Sequence, residues 1–141
     1  MAEEIVWPVE VIPDAASVFM RAHRDYFHRD GELLPGVFRN HGNGMSVNWD
    51  KHASAEETKQ QAQLFMKDPH NYAVIVMPVI GVRRIDGLSV DHTPKPFNRA
   101  HSDVIGLPQS DQRDQRDRRD EMRRLLLKIA AIALPLPPIR S

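Results

Sequence analysis

The sequence of 141 residues has no net formal charge, 41% hydrophobic residues and no cysteine. Its length suits one domain, because compact domains are commonest at about 100–150 residues, and Leu, Ile, Val and Phe make up about a quarter of it, which supports one hydrophobic core. The balanced charge argues against non-specific binding to nucleic acid or to anionic lipid, and the lack of cysteine excludes disulfides, thiolate zinc sites and cysteine nucleophiles.

Neither the first residues nor the longest apolar stretch has the pattern of a signal peptide or a membrane span. The acidic start, Met1–Glu4, does not have the basic and then apolar pattern of a signal peptide. The longest apolar stretch, 125–134, includes Lys128 and is about half of the roughly twenty residues that span a bilayer. We therefore expect a cytoplasmic protein with no membrane partner, one globular domain at 1–134 and a Pro-rich tail at 135–141.

The first third of the chain has one extended segment and one ambiguous segment. Residues 5–13 contain two prolines, which lack a backbone donor and disfavour helix, so they are predicted to form an edge strand or a strap across the core. Residues 14–29 fit a helix with one apolar face, which periodicity slightly favours, or a short strand at 17–22. Residues 30–44 are rich in Gly and Pro, and such long irregular segments often carry function.

The middle of the chain predicts a strand, a helix and a second strand. Met45–Trp49 is the first strand. Ser54 and Glu57 fit a capping box, which would begin a helix at 54–67. The apolar run Tyr72–Met77 is typical of a strand that is covered on both faces.

The second half predicts a hairpin, an irregular segment and a long helix. Val82–Ile85 and Leu88–Asp91 flank an Asp-Gly pair that suits a tight hairpin turn. Residues 92–109 are interrupted by Pro and Gly. A helix at 110–133 would bury a stripe that includes Met122, Leu125, Leu126 and Ile129. The predicted fold class is α+β, a small antiparallel sheet with helices near 54–67 and 110–133.

Two features of the C-terminal region could bind a partner protein. The run 111–124 alternates Arg with acidic residues, so it is either a self-paired solvated helix face, with pairs such as Asp114 with Arg118 and Asp120 with Arg124, or a docking surface. The tail from Pro135 to Arg140 resembles the Pro-rich ligands of SH3 domains. The same tail could instead be an ordinary extension after a helix.

Histidine is abundant, with seven residues, and it is the side chain best suited to proton transfer near neutral pH. The candidate catalytic residues are His92, His101 and Asn98, which lie in one short stretch. Their order has the residue types of a metal-dependent nuclease motif, but the spacing is too tight for its hairpin and helix. A metal held by His92, His101 and Asp103 would lack a further ligand, so no metal and no cofactor are predicted. The alternative is that Asn98 and His101 only hydrogen-bond their own loop.

A resemblance to known families rests on four short strings: Phe19–His23, Gly36–Arg39, Met45–Trp49 and 90–101. Together they resemble a family of uncharacterised bacterial domains, and this favours the strand at 17–22. With that strand, the order of elements is similar to ADP-ribosyltransferase-like folds, including RES-type toxins. The resemblance implies that Arg21 and Ser46 would hold the nicotinamide-ribose of NAD. That family's catalytic glutamate has no equivalent here, because Glu56 and Glu57 fall in the predicted capping box.

Two functional hypotheses follow. In the first, the chain is a non-catalytic component of a bacterial assembly, which docks through its Arg-rich helix or its tail onto a protein partner or a second copy. In the second, it is a small or degenerate enzyme whose irregular segments form a pocket for a phosphate-bearing ligand such as a nucleotide, NAD or nucleic acid. The pocket's ligand-binding residues would be Arg21, Arg39, Ser46 and His23, with His92 or His101 as acid or base and Asn98 positioning it.

Overall fold

One antiparallel sheet of six strands organises the protein in the computed structural model, which describes residues 5–139. The strands are β1 Ser17–His23, β2 Met45–Trp49, β3 Tyr72–Pro78, β4 Ser89–His92, β5 His101–Ile105 and β6 Ala131–Leu134, in the spatial order β4-β5-β2-β1-β3-β6. The helices are α1 Ala55–Gln60, α2 Val79–Arg83 and α3 Arg113–Ile129, with single 3₁₀ turns at Arg24–Tyr26, Pro35–Val37, Gln61–Phe65 and Pro69–Asn71. The predicted α+β fold with an antiparallel sheet is confirmed.

Strand β1 occupies the segment for which both helix and strand were plausible. Val18, Met20 and Ala22 are buried, whereas the residues between them are partly exposed. The helical interpretation rested on apolar residues spaced four apart. Residues at this spacing also share one face of a strand, because side chains alternate with a period of two. All seven residues of β1 pair with β3, so this segment is a strand.

The predicted hairpin at 82–91 is wrong. Val79 and Val82 are buried one helical turn apart on α2, so the segment before the Asp-Gly pair is helix. The actual partner of β4 is β5, which lies inside the segment predicted to be irregular. Within β5, Ser102 and Val104 are buried and their neighbours are partly exposed.

The predicted C-terminal helix is too long. Helix α3 spans Arg113–Ile129, and the chain then forms β6, which pairs with the outer edge of β3. That edge has buried residues whose backbone groups need partners, and β6 supplies them. The predicted first helix likewise ends early, because α1 gives way to a 3₁₀ turn after Gln60. No helix in the stretch 5–139 is long and apolar enough to cross a membrane.

The Arg-rich face of α3 is partly occupied by its own chain. Arg118 pairs with Glu121 and Asp86, and Arg119 pairs with Asp111. These are not the i, i+4 pairs expected from the sequence. The Arg119 side chain is mostly buried and also contacts the Pro108 carbonyl, whereas Arg116 is exposed.

Both ends of the described chain lie against the sheet domain. Residues 5–13 form no strand; Ile12 is buried, and the Glu10 backbone N–H donates to His92 Nδ1 at 2.9 Å, so the segment is a strap. At the other end, Arg24 donates to the Pro137 carbonyl at 2.9 Å. The acidic start, Met1–Glu4, lies outside the described residues, and so does Arg140, the last residue of the SH3-ligand pattern.

The sheet has one face toward the main core and another that holds polar residues. Val18, Val47 and Val104 lie on the core face. On the opposite face, the register aligns Phe19 with Asn48 and Asn48 with His101. Because side chains alternate along strands, Arg21 and Ser46 share this second face. Helix α1 packs over it against β1 and β3.

Candidate functional site

A cavity of about 360 Å³ lies on the polar face of the sheet, under α1 and the 3₁₀ turn that follows it. It brings together most of the site residues predicted from the sequence. Those that line it are Arg21, Arg39, Ser46, Asn98 and His101. The segment 30–44 and the loop between β4 and β5 both contribute lining residues, whereas His23 and His92 lie elsewhere.

The charge of the cavity wall is positive. Its lining includes the cations Arg21, Arg39 and Lys67, and no acidic residue is among the described residues that line it. The Arg21 Nη1 donates to the Thr58 carbonyl at 3.0 Å, and its guanidinium carbon lies 5.5 Å from the centre of the Phe65 ring. Burial lowers the pKa of Arg21, but an arginine stays charged at neutral pH because its ordinary value is so high. The cavity therefore favours anions.

A network of buried amides forms the floor of the cavity. The Asn48 Nδ2 donates to Thr58 Oγ1 at 3.0 Å and to Gln61 Oε1 at 2.8 Å, and the Asn98 Nδ2 donates to Asn48 Oδ1 at 2.8 Å. The Ala100 backbone N–H donates to Asn98 Oδ1 at 3.2 Å. The side chain of Asn98 thus binds the floor rather than the His101 ring, and its bonds to Asn48 and Gln61 reach beyond its own loop. The network fixes α1 and the β4–β5 loop against the sheet.

The ring of His101 has a defined orientation. Its Nδ1 lies 2.9 Å from the Thr93 carbonyl oxygen, which can only accept, so Nδ1 carries the proton. The Thr93 hydroxyl donates to Asp103 Oδ2 at 2.9 Å and faces the same Nδ1. The opposite nitrogen, Nε2, lies 3.4 Å from Ser46 Oγ. His101 therefore presents a lone pair to Ser46.

The protonation state of His101 is set by its surroundings. Burial lowers the pKa of its imidazole, and the nearby Lys95 and Arg21 act in the same direction. The Thr93 carbonyl and Asp103 oppose this effect without outweighing it. A pKa below the ordinary value favours the neutral ring at pH 7, and the neutral ring is the form that can accept a proton.

Two aromatic rings, which the sequence did not single out as site residues, stand at the cavity. Phe65 and Phe97 are 52% and 58% exposed, and their ring centres lie 6.4 Å apart in an edge-to-face arrangement. The sequence did contain one indication of an aromatic site residue, because Phe97 is an aromatic residue in a polar, Pro-rich loop. The polar Asn48 between Val47 and Trp49 similarly indicated that β2 has a polar face.

His92 belongs to a different cluster. Its Nδ1 accepts from the Glu10 backbone, its Nε2–H donates to the Arg99 carbonyl at 2.7 Å, and its ring packs edge-on against Trp49. Ligand atoms of Glu10, His52 and His92 lie within 4.8 Å of one another, a grouping that could hold a metal ion. Both nitrogens of His92 already have backbone partners, however, so a metal would have to displace either the Glu10 N–H or the Arg99 carbonyl. The expectation of no metal stays a prediction.

Glu10 fastens the strap to the domain. Its carboxylate lies 2.6 Å from both Lys51 Nζ and His52 Nε2. Hydrogen bonds from Lys51 and His52 lower the pKa of Glu10 to about 2. The cluster therefore has a structural explanation that needs no ligand.

His23 also lies outside the cavity lining. Its Nδ1 accepts from the Asp25 backbone N–H at 3.0 Å, which caps the 3₁₀ turn after β1. Its ring packs edge-on against Tyr72 at 5.1 Å. A ligand-binding role for His23 has no support in this geometry.

Comparison with protein-family models, with curated proteins and with solved structures finds no match for this chain. The resemblance to ADP-ribosyltransferase-like folds therefore stays a prediction. The candidate site is defined by the geometry of the cavity alone.

Proposed function

We propose that the protein binds a small phosphate-bearing molecule with a flat ring, a nucleotide such as ADP or NAD, in the cavity on the polar face of the sheet. The observation that carries the proposal is a wall containing Arg21, Arg39 and Lys67 and no acidic residue among the described lining residues, beside two exposed aromatic rings. The volume of about 360 Å³ falls in the usual range for small-molecule sites.

The guanidinium groups suit the phosphate. Arginine presents planar donors that bind two phosphate oxygens at once. The bond from Arg21 Nη1 to the Thr58 carbonyl fixes the side chain, and its other donors have no partner among the described residues. Arg39 is held by the Tyr26 hydroxyl in a similar way. Both cations are oriented before a ligand arrives, which lowers the entropic cost of binding.

The aromatic residues suit the ring of such a ligand. Exposed apolar groups next to a cavity commonly mark a ligand groove, and Leu64 is exposed beside Phe65 and Phe97. A nucleobase can stack on either phenyl ring. The phosphate would thus lie against the cations of the cavity, and the ring would lie against its phenyl groups.

The non-catalytic assembly hypothesis has less support. Of the arginines on α3, Arg118, Arg119 and Arg123 bind groups of this chain. Arg113, Arg116 and Arg124 stay exposed, so only part of this face is available for docking. The tail is similarly engaged by Arg24 and His70. A ligand in the cavity requires no such rearrangement.

Arg21→Gln is expected to weaken the binding of ADP by roughly 10–150-fold, because a hydrogen bond to a charged group contributes about 1.5–3 kcal/mol. The dissociation constant is measured by isothermal titration calorimetry on the full chain. Arg116→Gln is the matched control, since that arginine is exposed on α3, away from the cavity. Circular dichroism checks that both variants fold. Equal affinity of the two variants for ADP would contradict the proposal.

A further inference from the structure

A hydroxyl and a neutral imidazole face each other inside the cavity: Ser46 Oγ and His101 Nε2 lie 3.4 Å apart. We infer that Ser46 is a nucleophile with His101 as its base, and that the protein hydrolyses a phosphate ester or anhydride through a phosphoserine intermediate at Ser46. This inference rests on the proposed ligand site and names the chemistry that the site performs on its ligand.

The arrangement has the three parts that an activated nucleophile needs: the nucleophile, a base within reach and a third group that orients the base. Thr93 is the orienting group, because its carbonyl accepts the Nδ1 proton and leaves Nε2 free to take the proton of Ser46. The strand pairing fixes the geometry, since β2 and β5 are neighbours with Asn48 opposite His101. A separation of 3.4 Å is long for a hydrogen bond, but catalytic contacts commonly shorten when the substrate is bound.

The cations that line the cavity favour phosphorus over a carbonyl carbon as the electrophile. Phosphoryl transfer places negative charge on the three equatorial oxygens, and guanidinium and ammonium groups stabilise that charge. Arg21, Arg39 and Lys67 line the same cavity as Ser46. An acyl substrate would instead need donors for a single oxyanion.

The reaction balances in two steps. In the first, Ser46 Oγ forms a bond to phosphorus, the bond from phosphorus to the leaving oxygen breaks, and the Ser46 proton passes through His101 Nε2 to that oxygen. In the second, a water oxygen attacks phosphorus and gives a proton to Nε2, which returns it to Ser46 Oγ as the phosphoserine bond breaks. The products are phosphate, or a phosphate ester, and the released alcohol or phosphate.

The rate of the first step should depend on the protonation of His101. The charged groups that act on the ring are Asp103 on β5, Lys95 in the β4–β5 loop and Arg21 on β1. The other charged or titratable groups that line the cavity are Arg39, His41, Lys67 and Tyr72. Burial makes protonation of this imidazole harder than for an ordinary histidine, whose pKa is 6.5. The reaction should therefore stay fast down to a pH below that value.

The test uses an alkyl fluorophosphonate on the full chain, because this probe accepts a nucleophile at phosphorus and releases fluoride. Mass spectrometry is expected to find one adduct, located at Ser46 by peptide mapping. Ser46→Ala should abolish it, and Ser89→Ala, which removes an exposed hydroxyl on β4, should not. His101→Gln should slow labelling by about 10²–10⁴-fold, the usual contribution of a general base. The labelling rate should show a midpoint below pH 6.5.

Two results would overturn the inference: no adduct at Ser46, or equal labelling rates for the wild type and a folded His101→Gln variant. If that variant does not fold, the pH profile of the wild type decides, and a midpoint above pH 6.5, or a rate that does not fall at the lowest pH at which the chain stays folded, would count against His101 as the base. ADP is expected to protect Ser46 from the probe. Binding of ADP without labelling would refute only the nucleophile, whereas labelling without binding of ADP would refute only the proposed ligand.

Discussion

Gly106→Ala should destabilise the protein so strongly that little folded chain is recovered. A methyl group at this position would lie 1.9 Å from the Gly87 carbonyl oxygen, and Gly106 has a φ of +120°, which residues with a side chain rarely adopt. The collision involves backbone on both sides, so no rotamer change can relieve it. Strain of about 1–3 kcal/mol from the backbone angle adds to an overpacking cost of about 1–3 kcal/mol.

Gly36→Ala is the matched control for that change. The nearest atom to a methyl group there is a Tyr26 ring carbon at 3.6 Å, an ordinary contact. We expect thermal unfolding followed by circular dichroism to shift by only a few degrees for Gly36→Ala, and Gly106→Ala to show a far lower midpoint or no cooperative transition. A Gly106→Ala protein as stable as the wild type would mean that the chain before β4 and the chain after β5 do not approach each other as described.

Leu126→Ala is expected to lower the free energy of unfolding by about 2–5 kcal/mol. Leu126 lies on α3, is fully buried and is part of the main core. Its truncation removes apolar contacts and leaves a cavity that the surrounding side chains fill only partly. Near this chain length, about 2–4 °C is lost per kcal/mol, so the unfolding midpoint should fall by roughly 4–20 °C.

Arg116→Ala on the same helix provides the comparison for Leu126→Ala. Arg116 is exposed, so its removal should change the stability by no more than about 0.5 kcal/mol. Chemical denaturation of the two variants at the same pH measures both changes. A Leu126→Ala loss below about 1 kcal/mol would place α3 outside the core.

Elements with local signals could be predicted from the sequence. The capping box is present as expected: the Glu57 N–H donates to Ser54 Oγ and the Ser54 N–H to Glu57 Oε1, both at 3.1 Å. Such contacts span a few residues and do not depend on the rest of the fold. Strands β5 and β6 could not be found in this way, because each is short and is stabilised by pairing with a distant segment.

The site could be predicted only in part, for a reason that His92 and His101 illustrate. The sequence placed both in one candidate site because they are close in the chain. In the β4–β5 hairpin, His92 pairs with Ser102, so these two side chains lie on the same face of the sheet. His101 precedes Ser102 and therefore lies on the opposite face. Which histidine reaches Arg21 and Ser46 therefore depends on the register, which the sequence pattern did not specify.

Recognition of phosphate by the cavity is tested most directly by comparing ADP with adenosine in calorimetric titrations of the full wild-type chain at one ionic strength. The two ligands share the ring and the sugar and differ in the phosphates that Arg21, Arg39 and Lys67 would bind. We expect ADP to bind at least about tenfold more tightly than adenosine, a difference of about 1.4 kcal/mol or more, and we expect added salt to reduce this difference. Equal affinities for ADP and adenosine, or heat of binding from neither, would contradict it.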